Sequence, residues 1–273
     1  MAEAGTLRGD LTAYRAVLSS RVRAQRAYAA SFRLDLVGAA LITVVEFAEV
    51  WVLFGQVDAI GGLTLASVML VFGLAEMTFS TADLLVGHCD RMPTYVRAGT
   101  LDVFYLRPQP VLAQLMTSDI DLRRVARVAG GMVILVVGLV VSGVRWTPEK
   151  VALLAVTIPA AVAIYAGLFI AAAGVQFFLI NGAETTNAFV YGGRYAASQP
   201  ASVWPRSLVL VFGLIFPVAF TGYLPALALL DLPVPFGLPG WTAWLTPVAA
   251  VWSWLVALGC WRLGTRHYQG AGG

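Results

Sequence analysis

Apolar positions in this chain run on for twenty residues at a time, where a soluble core would interleave them with polar ones. Six such stretches stand at about 34–57, 62–87, 128–144, 151–180, 207–230 and 241–261. A helix rises about 1.5 Å per residue, so about twenty apolar residues cover the hydrocarbon thickness of a bilayer. The pattern predicts an all-α membrane protein with six transmembrane helices. The first run follows some thirty more polar residues, exceeds the length of a secretory h-region and has no small-residue cleavage site behind it, so it reads as a span and not as a leader.

The segments between the runs predict the rest of the architecture. Within residues 1–33, Leu11, Tyr14, Leu18 and Val22 form a narrow apolar stripe flanked by Arg15, Arg21 and Arg26, which suits an amphipathic helix lying in the membrane interface. Gln25 ends the stripe. Residues 34–263 form the six-helix membrane domain and 264–273 a tail. An insert at 88–127 reads as two short helices around a break at Pro108 and Pro110, since proline interrupts whatever helix precedes it. The segment 222–245 is too apolar for a loop and too rich in proline for one straight helix, so short re-entrant helices are expected there, with Trp241 and Trp244 in the interfacial belt.

Charge then orients these elements. The chain is 59% apolar and only 12% charged, with eighteen basic residues, all arginine except Lys150. Six precede the first run, six lie in the insert, two stand at 145 and 150, two at 194 and 206, and two in the tail. Alternate loops therefore hold sixteen against two, which places both termini, the insert and the 181–206 loop in the cytoplasm. This basic distribution is a membrane signature and implies lipid contact, not a nucleic-acid surface. Cys89 and Cys260 both fall near the reducing face and read as small membrane-edge hydrophobes.

No catalytic constellation emerges. A phosphate-binding P-loop needs a lysine after a glycine-rich turn, and the only lysine sits in "WTPEKVA". His88 and His267 stand alone, without a second ligand at metal spacing. What does stand out is acid inside the runs. Glu46 and Glu49 share one face of the first run, and Glu76 and Asp83 share one face of the second. No arginine or lysine lies within a run to neutralise them. They must be protonated, bond to hydroxyls such as Thr43, Thr78 or Ser80, face water, or pair across a subunit boundary. Two readings stay open: hydrogen-bonded helix contacts, or a translocation path or subunit interface. Gly138 with Gly143, and Gly167 with Ala171, permit close helix approach.

Two stretches carry a resemblance. "RAGTLDVFYLRPQP" resembles a segment of the bacterial ABC-transporter permeases of the type-2 exporter (ABC-2) family, matching at Gly99, Asp102, Leu106, Arg107 and Pro108. The Gln109–Pro110 pair departs from the family pattern, where an apolar residue follows the proline. The tail resembles that family's ending at Trp261, Arg262, Gly264, Arg266 and Tyr268, and the likeness extends over the six-span layout. It implies a non-catalytic permease subunit in the bacterial cytoplasmic membrane, moving a drug, lipid or small peptide outward. It implies a separate ATP-binding subunit dimer that holds the ATP and magnesium, and a second permease subunit, either a related chain or another copy. It also implies that the insert presents a coupling helix, with Arg97, Gly99, Asp102, Leu106, Arg107 and Pro108 at the ATPase contact. An Asp and an Arg five apart can also brace the turn around Pro108. The alternative is a proton-coupled secondary transporter using Glu46, Glu49, Glu76 and Asp83, although such carriers show repeated halves with breaks at mid-membrane.

Topology is open to a direct measurement. A cysteine introduced at Asp102 is expected to resist a membrane-impermeant thiol reagent in intact cells, and one at Pro148 to react. Labelling of position 102 from outside would reverse the orientation.

Overall fold

The computed structural model describes residues 29–118, 123–179, 183–199, 204–205, 207–208, 211–268 and 270. Of the expected interfacial helix within residues 1–33, residues 1–28 lie outside them, and residues 29–33 belong to the first long helix. Among the described residues the chain is all helix and turn, without a strand. The long elements are α1 (Ala29–Phe54), α2 (Leu65–Val86), α6 (Arg123–Val141), α7 (Pro148–Val175), α8 (Ala183–Ala197) and α10 (Thr246–His267). The insert supplies α3 (Met92–Arg97), α4 (Asp102–Tyr105) and α5 (Val111–Thr117), and α9 is Tyr223–Leu229. Four of the described helical stretches are long and apolar enough to cross a membrane: Leu65–Arg97, Arg124–Val141, Pro148–Val175 and Gly240–His267.

Local chemistry sets where these helices start. Thr64 caps α2 by accepting a hydrogen bond from the Ser67 amide, and Thr147 caps α7 by accepting one from the Lys150 amide. Pro148 takes the first helical position of α7, where its missing N–H costs nothing, and Glu149 sits in the first turn.

α2 is the hub. In its most apolar window 78% of residues are buried inside the protein, against 17% for α6, so α6 is the more exposed neighbour of α2. Without a hydrophobic force between helices in lipid, contact depends on close packing. Glycine provides it. A Cβ on Gly73 would lie 2.5 Å from the Leu135 Cα, and one on Gly138 would lie 2.9 Å from the Leu70 Cα, so α2 and α6 touch backbone to backbone. Gly167 against Ser253 and Gly174 against Cys260 join α7 to α10 in the same way. Gly138 and Gly167 thus work within the chain, whereas Gly143 ends α6 with φ +72 and nothing near it.

The fifth apolar run departs from a simple span. Proline breaks it. Val211–Ile215 is a turn of π-helix in which the Phe216 amide donates to the Val211 carbonyl, and Pro217 (φ −76, ψ 50) makes an inverse γ-turn closed by the Val218 amide on the Phe216 carbonyl at 2.6 Å. A short 3₁₀ turn at Val218–Phe220 and α9 follow. The 181–206 segment differs too. It contains α8, which packs on α2 and α7 where a polar loop was expected. The proline-rich segment after α9 forms two 3₁₀ turns, Pro235–Gly237 and Gly240–Leu245, and Lys150 Nζ reaches back to Asp231 Oδ2 at 2.7 Å.

Gly73→Ala is expected to lower stability by about 1–3 kcal/mol by forcing α6 off α2. Gly259→Ala, on α10 with nothing within 4 Å of its added Cβ, is expected to be neutral or to stabilise by a few tenths up to about 1 kcal/mol. Thermal unfolding of the two purified variants checks the contrast.

Candidate functional site

Two buried ionic clusters form around α2. In the first, Arg194 of α8 donates from Nε to Glu76 Oε2 at 2.7 Å and from a terminal nitrogen to Glu46 Oε2 on α1. Ser80, one turn along from Glu76, donates to its other oxygen at 2.9 Å, and the Arg194 guanidinium lies 5.2 Å from the centre of the Phe79 ring. Glu76 is only 1% exposed, so its charge has no water to lean on. In the second cluster, Arg124 donates to Asp83 Oδ1 at 2.6 Å and Arg127 donates to Oδ2, with Asp83 wholly buried. Arg124 and Arg127 lie three apart on one face of α6, so both reach the end of α2.

The residues picked out inside the runs therefore separate. Glu46 and Glu76 meet through one arginine, Asp83 belongs to a second cluster, and Glu49 is exposed on α1. Of the hydroxyls, Ser80 binds Glu76, while Thr78 donates to the Leu74 and Ala75 carbonyls. The Thr43 side chain lies outside the described residues. Arg194 corrects the count of loop charges: the buried Glu76 and the partly buried Glu46 draw it into the bundle, where a guanidinium with several donors can serve both. Tyr191, one turn before it, donates to Asp90 at 3.1 Å and sets its ring edge-on to Phe79.

The insert is the second region. α3 ends where Gly99 takes φ +65, a left-handed turn that glycine adopts at no steric cost, so "TYVRAGTLDVFYL" folds as two helices where one was expected. Beyond α4, Pro108 and Pro110 turn the chain into α5. Gln114, buried at 6% exposure, holds this turn by donating to the carbonyls of Phe104 at 2.9 Å and Gln109 at 2.7 Å. Arg107 lies over the Phe104 ring, 5.9 Å from its centre, so the turn is braced through Gln114 and Phe104. Cys89, Met92, Leu101, Phe104 and Leu115 pack against Ile170 of α7 and Trp261 of α10.

Asp102 faces the tail. Tyr268 donates to Asp102 Oδ1 at 2.8 Å, stacks on Tyr105 at 5.8 Å and stands edge-on to Phe177. Burial and then the neighbouring carboxylate push the Tyr268 phenol up to about 12, so it keeps the donated proton across the physiological range. Elsewhere in the insert Arg97, Arg107 and Pro108 are exposed, and Leu106 is 84% exposed. An almost bare leucine between exposed arginines is a surface suited to a protein partner.

Removing Arg194 leaves the buried Glu76 and the partly buried Glu46 without their guanidinium. Arg194→Ala is expected to cost about 3–5 kcal/mol, and Arg194→Ala combined with Glu46→Gln and Glu76→Gln to recover most of it. Thermal stability and monodispersity in detergent report both outcomes.

Comparison with known proteins supplies one match. The sequence model of a family described as ABC-2 family transporter protein matches residues 40–272. No curated protein and no solved structure matches the chain.

Proposed function

The chain belongs to the ABC-2 family of transporter proteins, and from that premise we propose that it is the permease subunit of an ATP-driven exporter whose ATPase is a separate polypeptide. ATP and magnesium are then bound by that partner dimer. A second permease subunit completes the pathway across the cytoplasmic membrane. The substrate is a drug, a lipid or a small peptide.

The observation that carries this reading is the two-sidedness of the insert. One side is fixed to the ends of α7 and α10 through Leu101, Phe104 and the Tyr268–Asp102 bond. The other side exposes Arg97, Leu106 and Arg107. An element that transmits force must be stiff and must grip what it moves. Here three short helices are stapled to membrane helices and leave a charged and apolar face for the driver. Because Glu46, Glu76 and Asp83 are each held by arginine, they suit clasps between helices better than carriers of protons.

Arg107→Ala and Leu106→Ala are expected to weaken co-purification of the partner ATPase, since both sit on the exposed face. Tyr268→Phe and Asp102→Ala are expected to leave the ATPase bound while reducing ATP turnover by the complex severalfold. Tyr268→Phe loses only a hydroxyl and keeps the ring, so its defect isolates the hydrogen bond. Normal association and turnover in all four would remove this segment from the coupling path.

A further inference from the structure

α7, α8, α10 and the π-turn line a half-open cavity of about 270 Å³. Its walls include Leu168, Phe189, Phe216, Trp252, Ser253 and Cys260, and among the described residues no charged side chain lines it. The broken fifth run supplies one wall, through Ile215 at the end of the π-turn and Phe216 before Pro217. Irregular backbone at membrane depth is tolerated beside protein or a cavity, and Trp252 Nε1 covers the Ile215 carbonyl at 3.4 Å.

One wall residue is out of keeping. Ser253 is 3% exposed, and among the described residues its hydroxyl oxygen has no hydrogen-bond partner. Hydroxyls in helices commonly bond back to a carbonyl one turn earlier, as Thr78, Thr81, Thr117 and Thr265 do in this chain. Leaving a buried hydroxyl unanswered is costly. Apolar aromatic walls with a single placed polar group are the usual form of a small-molecule pocket. Phe189 and Phe216 stack at 5.1 Å on one side, and Trp252 lies on another.

We propose that this cavity is a binding site for a small, neutral, aromatic molecule carrying one hydroxyl, which bonds to Ser253 while its rings lie against Phe189, Phe216 and Trp252. A charged ligand would be left without a partner. An acyl chain would fill the walls and leave Ser253 unanswered. The proposal stands without the transport reading, because binding requires neither ATPase nor turnover.

Cys260 in the wall serves as the reporter. With Cys89→Ala it is the only thiol, and its reaction with N-phenylmaleimide in purified, detergent-solubilised protein is followed by intact mass. 1-Naphthol and naphthalene are titrated as protectants, each compared between proteins in identical micelles. 1-Naphthol is expected to slow labelling, and Ser253→Ala to raise its midpoint about fivefold, the size of one net hydrogen bond, while naphthalene's midpoint stays unchanged. Ala172→Leu, which narrows the cavity, is expected to abolish protection by both. If Ser253→Ala is not recovered, Ser253→Gly removes the same hydroxyl. Absence of protection overturns the site. An unaltered 1-naphthol midpoint in the serine variant, or equal protection by dodecane, which would mark an acyl-chain groove, also overturns it.

Discussion

Three carboxylates and three guanidiniums meet around α2, and the placement of α1, α6 and α8 follows from bringing them together. Glu46 and Glu76 meet Arg194, and Asp83 meets Arg124 and Arg127. Glu76 and Asp83 stand seven residues apart on one helix, about 10 Å along its axis, so α2 contributes an acid to each cluster. Buried ion pairs add little net stability over apolar packing, but breaking one is expensive. Their effect is on choice of neighbour: an apolar α8 could dock on many faces of the bundle, and one carrying Arg194 has one place to go.

The glycines make that choice geometrically possible. Arg124 and Arg127 reach Asp83 because α6 lies backbone to backbone against α2 at Gly73, Gly131 and Gly138. Gly87, just past the last turn of α2, sits where a side chain would displace the Arg124 guanidinium. Small residues and ion pairs are thus one device. The first set the spacing that the second require.

Much of this was legible in the residues. The helical class, the apolar character of the long helices, the break at Pro108 and Pro110 and the short elements around the later prolines all follow from local chemistry that acts within a few residues. The acids in the first two runs were visible as costly. Their partners were not, because each partner lies 41 to 148 residues away and is short-range only in the fold. Arg194 looked like one more loop arginine in "AFVYGGRYAAS", although electroneutrality alone calls for a cation near Glu46 and Glu76. Likewise Asp102 and Tyr268 were each noticed, and nothing in their 166-residue separation says that they touch. Gln114 went unnoticed, since a lone glutamine in a helix gives no sign of which carbonyls it will serve.

The order in which these charges occur along the chain bears on biosynthesis. Asp83 waits 41 residues for Arg124, but Glu76 waits 118 and Glu46 148 for Arg194. At about 5–20 residues per second, the ribosome leaves Glu76 without its cation for roughly 6–24 seconds. During that interval α1 and α2 hold acids whose charge the bilayer interior does not tolerate. Their arginine partner is not available until α8 emerges. The first half of this protein is therefore made before it can be finished, and its maturation depends on a residue translated long after the helices that need it.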